Sequence, residues 1–317
     1  MHELGIAVAA LAAFVIAALG ERWVVAELAY ATLFLLLLQF AVRRFLGAGG
    51  ARRPPAAFVL IPIGMLHGLG GAALIAAASL SDTPGELRGL GRLLVEQGVF
   101  LCFAVGIGGL VLPLMSGSPP PGDLGSSPRE RRKALAYACA GLLIFASFVL
   151  EQSGWARVAP LVRAAVVIVG LGVGGGAWRR PGTPGLHRRL VWLSVWLMPA
   201  GLVLSALAPD YRVPALHVLF IGGFALMAFG VATHVVFSHL DLQTLALGRP
   251  FAVAVLGAAL ILAMLVRVVA DWGDAYFEHL GAAAAIWIAG TAVWVAFIVA
   301  KLSAANAAVS PRAAARG

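Results

Sequence analysis

The chain has 317 residues, of which 61 % are hydrophobic and only 12 % charged, and its mean hydropathy is +0.95. A soluble domain carries roughly 45–50 % apolar and about 25 % charged residues and could not cover this much apolar surface, so a soluble fold is excluded. The formal charge of +9 sits in short Lys and Arg clusters between apolar runs, with no basic surface interleaved by aromatics, which excludes nucleic acid as a partner.

Apolar runs of the length a bilayer requires, about 20 residues, recur along the whole chain. They predict an all-α polytopic helix bundle of about ten transmembrane helices in contact with the lipid bilayer, with boundaries good to about 2–4 residues. In chain order the spans are 4–20, 23–42, 57–80, 94–116, 134–151, 158–178, 190–208, 214–238, 251–270 and 280–300. Residues 1–317 are read as one membrane domain, with a disordered tail at 302–317. The first run lacks a basic n-region and a small-residue cleavage site and is followed at once by another apolar run, so it is read as a retained helix. It parts from the second at Glu21-Arg22. Later breaks carry stronger punctuation, at Gly49-Gly50-Ala51-Arg52-Arg53-Pro54-Pro55, at Pro119-Pro120-Pro121-Gly122-Asp123 and at Arg179-Arg180-Pro181-Gly182-Thr183-Pro184-Gly185.

With ten spans, sixteen of the 23 Lys and Arg fall on one side of the membrane and seven on the other. The excess of positive charge marks the cytoplasmic side, so both termini are expected in the cytoplasm and His217 at the outer edge of a cytoplasmic membrane. Cys102 and Cys139 lie inside apolar runs without CxxC or Cys/His spacing and read as small core residues.

Ionisable groups inside a span cost about 2.5–3.5 kcal/mol each on insertion scales, so the few present are the candidates for chemistry. They are His67 in the third span, Glu96 near the start of the fourth, Arg163 in the sixth and the histidines of the eighth. Arg163 lies near a helix end and is expected to snorkel outward. In an unbroken α-helix His217 and His239, 22 residues apart, share a face to within about 40° and stand about 33 Å apart along the axis. His234 is about 140° from His239, too far round for the two to chelate one metal, so any site recruits ligands from other helices. Imidazole suits haem iron and copper, which makes His217, His239, His67 and His234 the cofactor candidates, and His217, His234 and His67 the metal candidates. The glycines around His67, at Gly64, Gly68, Gly70 and Gly71, thin that helix for close approach of a helix or a flat cofactor. His2 and His187 fall in a tail and a loop and are given no role. Asp271, Asp274, Glu278 and His279 form an acidic loop, read as solvated.

The eighth span resembles the signature of the NnrS family, in which a His is followed at five residues by Gly, at ten by Met, at sixteen by Thr and at twenty-two by a second His. Here these are His217, Gly222, Met227, Thr233 and His239. Gly108-Gly109-Leu110-Val111-Leu112-Pro113 is similar to a second family motif, a glycine pair leading to a proline exit. The chain departs from the family in lacking an early His-x-His-Glu segment, and in carrying Leu110 and His234 where members have Arg. The resemblance implies a membrane protein of the bacterial nitric oxide response that binds haem and copper, with no catalytic turnover implied. Where an Arg would clamp an anionic group, His234 can be a neutral ligand. It is expected to face His67 across the third and eighth helices, the rings within about 4–8 Å, close enough to share a metal. Two other readings stand beside this one: a metal-free transporter or assembly factor on the same fold, and a subunit like those of haem-copper oxidases or nitric oxide reductases.

Overall fold

A computed structural model of the chain describes residues 2–46, 53–80 and 84–314. These residues are helical throughout, apart from connecting turns and one isolated bridge between Pro55 and Asp123. Among the described residues eight helices are long and apolar enough to cross a membrane: α2 (Trp23–Arg43), α3 (Ala56–Ala78), α4 (Gly85–Met115), α5 (Pro128–Gln152), α7 (Leu186–Leu207), α8 (Pro209–His239), α9 (Gln243–Trp272) and α10 (Tyr276–Ala305). Two shorter apolar helices, α1 (Glu3–Leu19) and α6 (Val158–Gly174), lie where the sequence led us to expect the first and sixth spans, and are shorter than the eight. Large side chains such as Leu19, Phe251 and Phe277 are 80–82 % exposed. Such faces suit hydrocarbon and not water.

Local chemistry sets the boundaries. Glu21, with φ 55°, turns the chain between α1 and α2, so the division at Glu21-Arg22 is real. Ser127 caps α5 by accepting from the Glu130 backbone N–H at 3.2 Å, with Pro128 at the first helical position. The fourth span begins earlier than the hydropathy suggested, because the stretch from Gly85 to Leu93 has leucines on one face only. The helix that contains α10 runs on from Tyr276 to Ala314, where repeated alanines favour helix. Residues 315–317 of the C-terminal tail, and Gly49 to Arg52 of the first glycine-rich break, lie outside the described residues.

The helices fall into two compact units, one of Met1–Leu110 with Pro120–Gly175 and one of Val111–Pro119 with Gly176–Gly317. In the first, Phe34 of α2, Met65 of α3 and Val99 of α4 form a buried cluster. In the second, Val218, Ile221 and Leu226 of α8 pack against Leu256, Leu260 and Met264 of α9. Three helices contain π-helical segments: Leu94–Gly98 in α4, Ile168–Gly174 in α6 and Val218–Ala225 in α8. Such segments close their hydrogen bonds over five residues instead of four and cluster at functional positions, because the wider turn re-aims the side chains around it.

Candidate functional site

His217 ends the short α-helical stretch Arg212–His217, immediately before the π segment of α8. Its Nδ1 lies 2.7 Å from the Val213 carbonyl oxygen. A carbonyl only accepts, so Nδ1 carries the proton and Nε2 keeps its lone pair, the tautomer a metal-ligating histidine needs. The ring borders a cavity of about 490 Å³ walled by Ile221 and Phe220 of α8 and by Trp287 of α10. Arg267 of α9 is the other charged or polar group on that wall. It is 4 % exposed, its Nη2 donates to the Tyr276 hydroxyl at 3.2 Å, and its Nη1 stands 3.5 Å from Asp271 Oδ1. Its Nε has no hydrogen-bond partner. One space is therefore bordered by the His217 ring and the buried guanidinium of Arg267, with otherwise apolar walls.

Gly222 does not open α8 to a flat ligand. A Cβ there would lie 2.6 Å from Met264 Sδ and 2.9 Å from Leu197 Cδ1, so this glycine lets α7 and α9 pack closely. His239 stands apart from the cavity, exposed at the end of α8 with Nδ1 donating to the Val235 carbonyl at 3.0 Å. The π segment between the two histidines shifts the helical register, so the shared face computed for an unbroken α-helix does not carry over.

His234 meets His187, a partner the sequence did not suggest. His187 Nε2 and His234 Nδ1 are 3.2 Å apart, with the rings stacked at 25° and their centroids 5.4 Å apart. Gly230 explains this partner: a Cβ there would lie 2.5 Å from Val191 Cγ2, so the close approach that it permits is taken by α7. His187 was missed because the basic run Arg188-Arg189 made its surroundings look like loop. The signal was Gly185, whose φ of 138° breaks the chain and starts α7 at Leu186, placing His187 in the first helical turn. His187 is wholly buried.

His67 belongs to the first unit and finds its partners there. Its Nδ1 is 3.7 Å from Cys102 Sγ, and its ring lies against Phe145 and edge-on to Phe148, at centroid distances of 6.0 and 6.2 Å. Gly98, the last residue of the π segment in α4, makes room for it: a Cβ there would come within 2.8 Å of Nδ1. Gly98→Ala should therefore overpack this core and cost about 1–3 kcal/mol. Thermal unfolding of the purified protein measures the loss, and an unshifted transition would show that the His67 ring moves aside freely.

The remaining candidates are paired. Arg163, expected to snorkel, is buried because Glu151 at the end of α5 accepts from its Nη2. Glu96 pairs with Arg92 at 3.1 Å on a partly exposed face. In the acidic loop Asp271 faces Arg267, and His279 donates to the Ala275 carbonyl at 2.7 Å. Among the described residues no three His, Cys, Asp or Glu side chains converge as a metal site.

No curated protein and no solved structure matches this chain. The profile of one family does, that of the NnrS protein, over residues 2–305. The match runs through all ten helices, well beyond the signature in α8, and on that ground the chain belongs to the NnrS family.

Proposed function

We propose that this NnrS family protein binds haem in the cavity beside His217, in the bacterial cytoplasmic membrane, and serves tolerance of nitric oxide by binding it or by protecting metal centres from it. One observation carries this reading: an imidazole fixed in its ligating tautomer and a buried arginine border the same apolar cavity. The donor set fits the group. A neutral imidazole is a common axial ligand of haem iron, and a guanidinium is the side chain best shaped to hold a propionate. About 490 Å³ is within the range of cofactor pockets, roughly 300–1,000 Å³. When bound, haem supplies an iron centre that binds a diatomic ligand and exchanges one electron. The Val213 carbonyl orients the ring, Arg267 fixes the carboxylate end, and Trp287 closes a side of the cavity with apolar surface.

The reduced-minus-oxidised absorption spectrum of the purified protein, with haem and metal analysis, tests this. A haem spectrum at one haem per chain is expected. Protein that stays colourless after reconstitution with haemin would instead favour the metal-free transporter or assembly factor.

The same reading places both termini in the cytoplasm, because sixteen of the 23 basic residues collect on the side they share. A reporter active only in the periplasm should be silent when fused after Gly317 and active when inserted near Asp210. Activity at Gly317 would reverse the orientation.

A further inference from the structure

We infer that a groove between α2, α3 and the start of α5 holds one anionic phospholipid, with its phosphate on Arg53 and Arg131 and an acyl chain along the apolar wall. The site lies within the first unit, goes beyond the haem reading and does not depend on it. The groove has a volume of about 790 Å³. Leu38 of α2, Phe58 and Met65 of α3 and Ala134 of α5 belong to its apolar wall, and the two arginines are the charged residues that line it.

Charge and depth select the occupant. Both arginines stand where spans begin: Arg53 just before α3, which starts at Ala56, and Arg131 in the first turn of α5, which starts at Pro128. The segments that carry them are stitched together, since the Leu124 N–H donates to the Pro54 carbonyl at 2.8 Å and Pro55 bridges to Asp123. Among the described residues neither guanidinium is paired with a carboxylate, whereas Glu130 is taken by Lys133 at 2.7 Å. Two uncompensated cations at headgroup level call for a ligand of net negative charge, and the forked N–H groups of arginine match the oxygens of a phosphate. From Ala56 to Met65 the groove follows α3 for about 15 Å, at 1.5–2.0 Å of rise per residue. That is half of the roughly 30 Å hydrocarbon core, the depth of one leaflet, and a soluble anion would leave this apolar length uncovered. The link from α2 to Arg53 does not supply the filling, because residues 47–52 are glycine, alanine and a single arginine.

The test titrates the full-length, delipidated protein in detergent with phosphatidylglycerol or phosphatidylcholine of the same acyl chains, read by native mass spectrometry. One phosphatidylglycerol per chain should be retained, and phosphatidylcholine should bind at least about tenfold more weakly. Arg53→Gln and Arg131→Gln should each weaken retention of phosphatidylglycerol about fivefold, the effect of one basic residue at an anionic surface. Both side chains are exposed, so neither change disturbs the core. Arg157→Gln, in the loop after α5, should leave retention unchanged. Ala134→Phe fills the groove from its wall and should weaken binding of both lipids; the arginine variants carry the test even if this one fails to fold. Equal retention of the two lipids, or retention unchanged when both arginines are replaced, would overturn the assignment. Displacement of the lipid by inorganic phosphate would also overturn it, in favour of a soluble anion, as would a lipid-free dimer that excludes phosphatidylglycerol, in favour of a second copy of the chain.

Discussion

If haem is bound as proposed, His217→Ala is expected to abolish its spectrum while the protein stays folded in the membrane. Alanine removes the ring nitrogen that His217 presents to the cavity and leaves the apolar walls formed by Ile221, Phe220 and Trp287. The ring is half-buried and its hydrogen bond runs to the carbonyl a turn earlier in its own helix, so its loss breaks no hydrogen bond to another helix among the described residues. Arg267→Gln should have a graded effect. A hydrogen bond to a charged group contributes about 1.5–3 kcal/mol, so weaker anchoring of the propionate should lower haem affinity by roughly 10–100-fold without removing the axial ligand. The two variants thus separate ligation from anchoring. A spectrum unchanged in His217→Ala would remove this residue from the site and leave His67 or the His187–His234 pair to hold iron.

The helices were legible from the sequence because a bilayer imposes a length and a composition on every span, and among the described residues eight helices satisfy both while two apolar ones are shorter. The site was legible in part. His217 stands out because it keeps its place in the α8 signature. Its partner Arg267 does not, since at the end of an apolar run it reads as one more loop cation. That His187 is the neighbour of His234 was hidden for a packing reason. Gly230 signalled that some helix comes close, but a glycine does not name its neighbour, and α7 fills the space. His187 escaped notice because hydropathy averages a buried histidine together with the arginines after it. The π segments are invisible to a 3.6-residue period, and the one in α8 spoils the angle computed between His217 and His239.

The largest stability effect is expected at the ion pair of Arg163 and Glu151. Their side chains are 1 % and 4 % exposed, and the guanidinium also stands 4.8 Å from the centroid of Phe148, which in turn meets His67 edge-on. Arg163→Met keeps the length and apolar bulk of the side chain but leaves the Glu151 carboxylate buried without its counter-charge. Breaking a buried pair in this way costs about 3–5 kcal/mol, so the variant should unfold at markedly lower temperature in detergent and accumulate poorly in the membrane. Adding Glu151→Leu to the same chain should recover most of that loss, because replacing both partners with apolar groups is commonly neutral or stabilising by about 1–4 kcal/mol. The recovery is the informative half. A double variant as stable as the parent would show that the pair contributes little net stability, so its presence inside a lipid-facing bundle reflects the positioning of Phe148 and His67 and not the cost of unfolding. A double variant as unstable as Arg163→Met would show the opposite, that the two charges hold α5 and α6 together through contacts which apolar side chains do not replace.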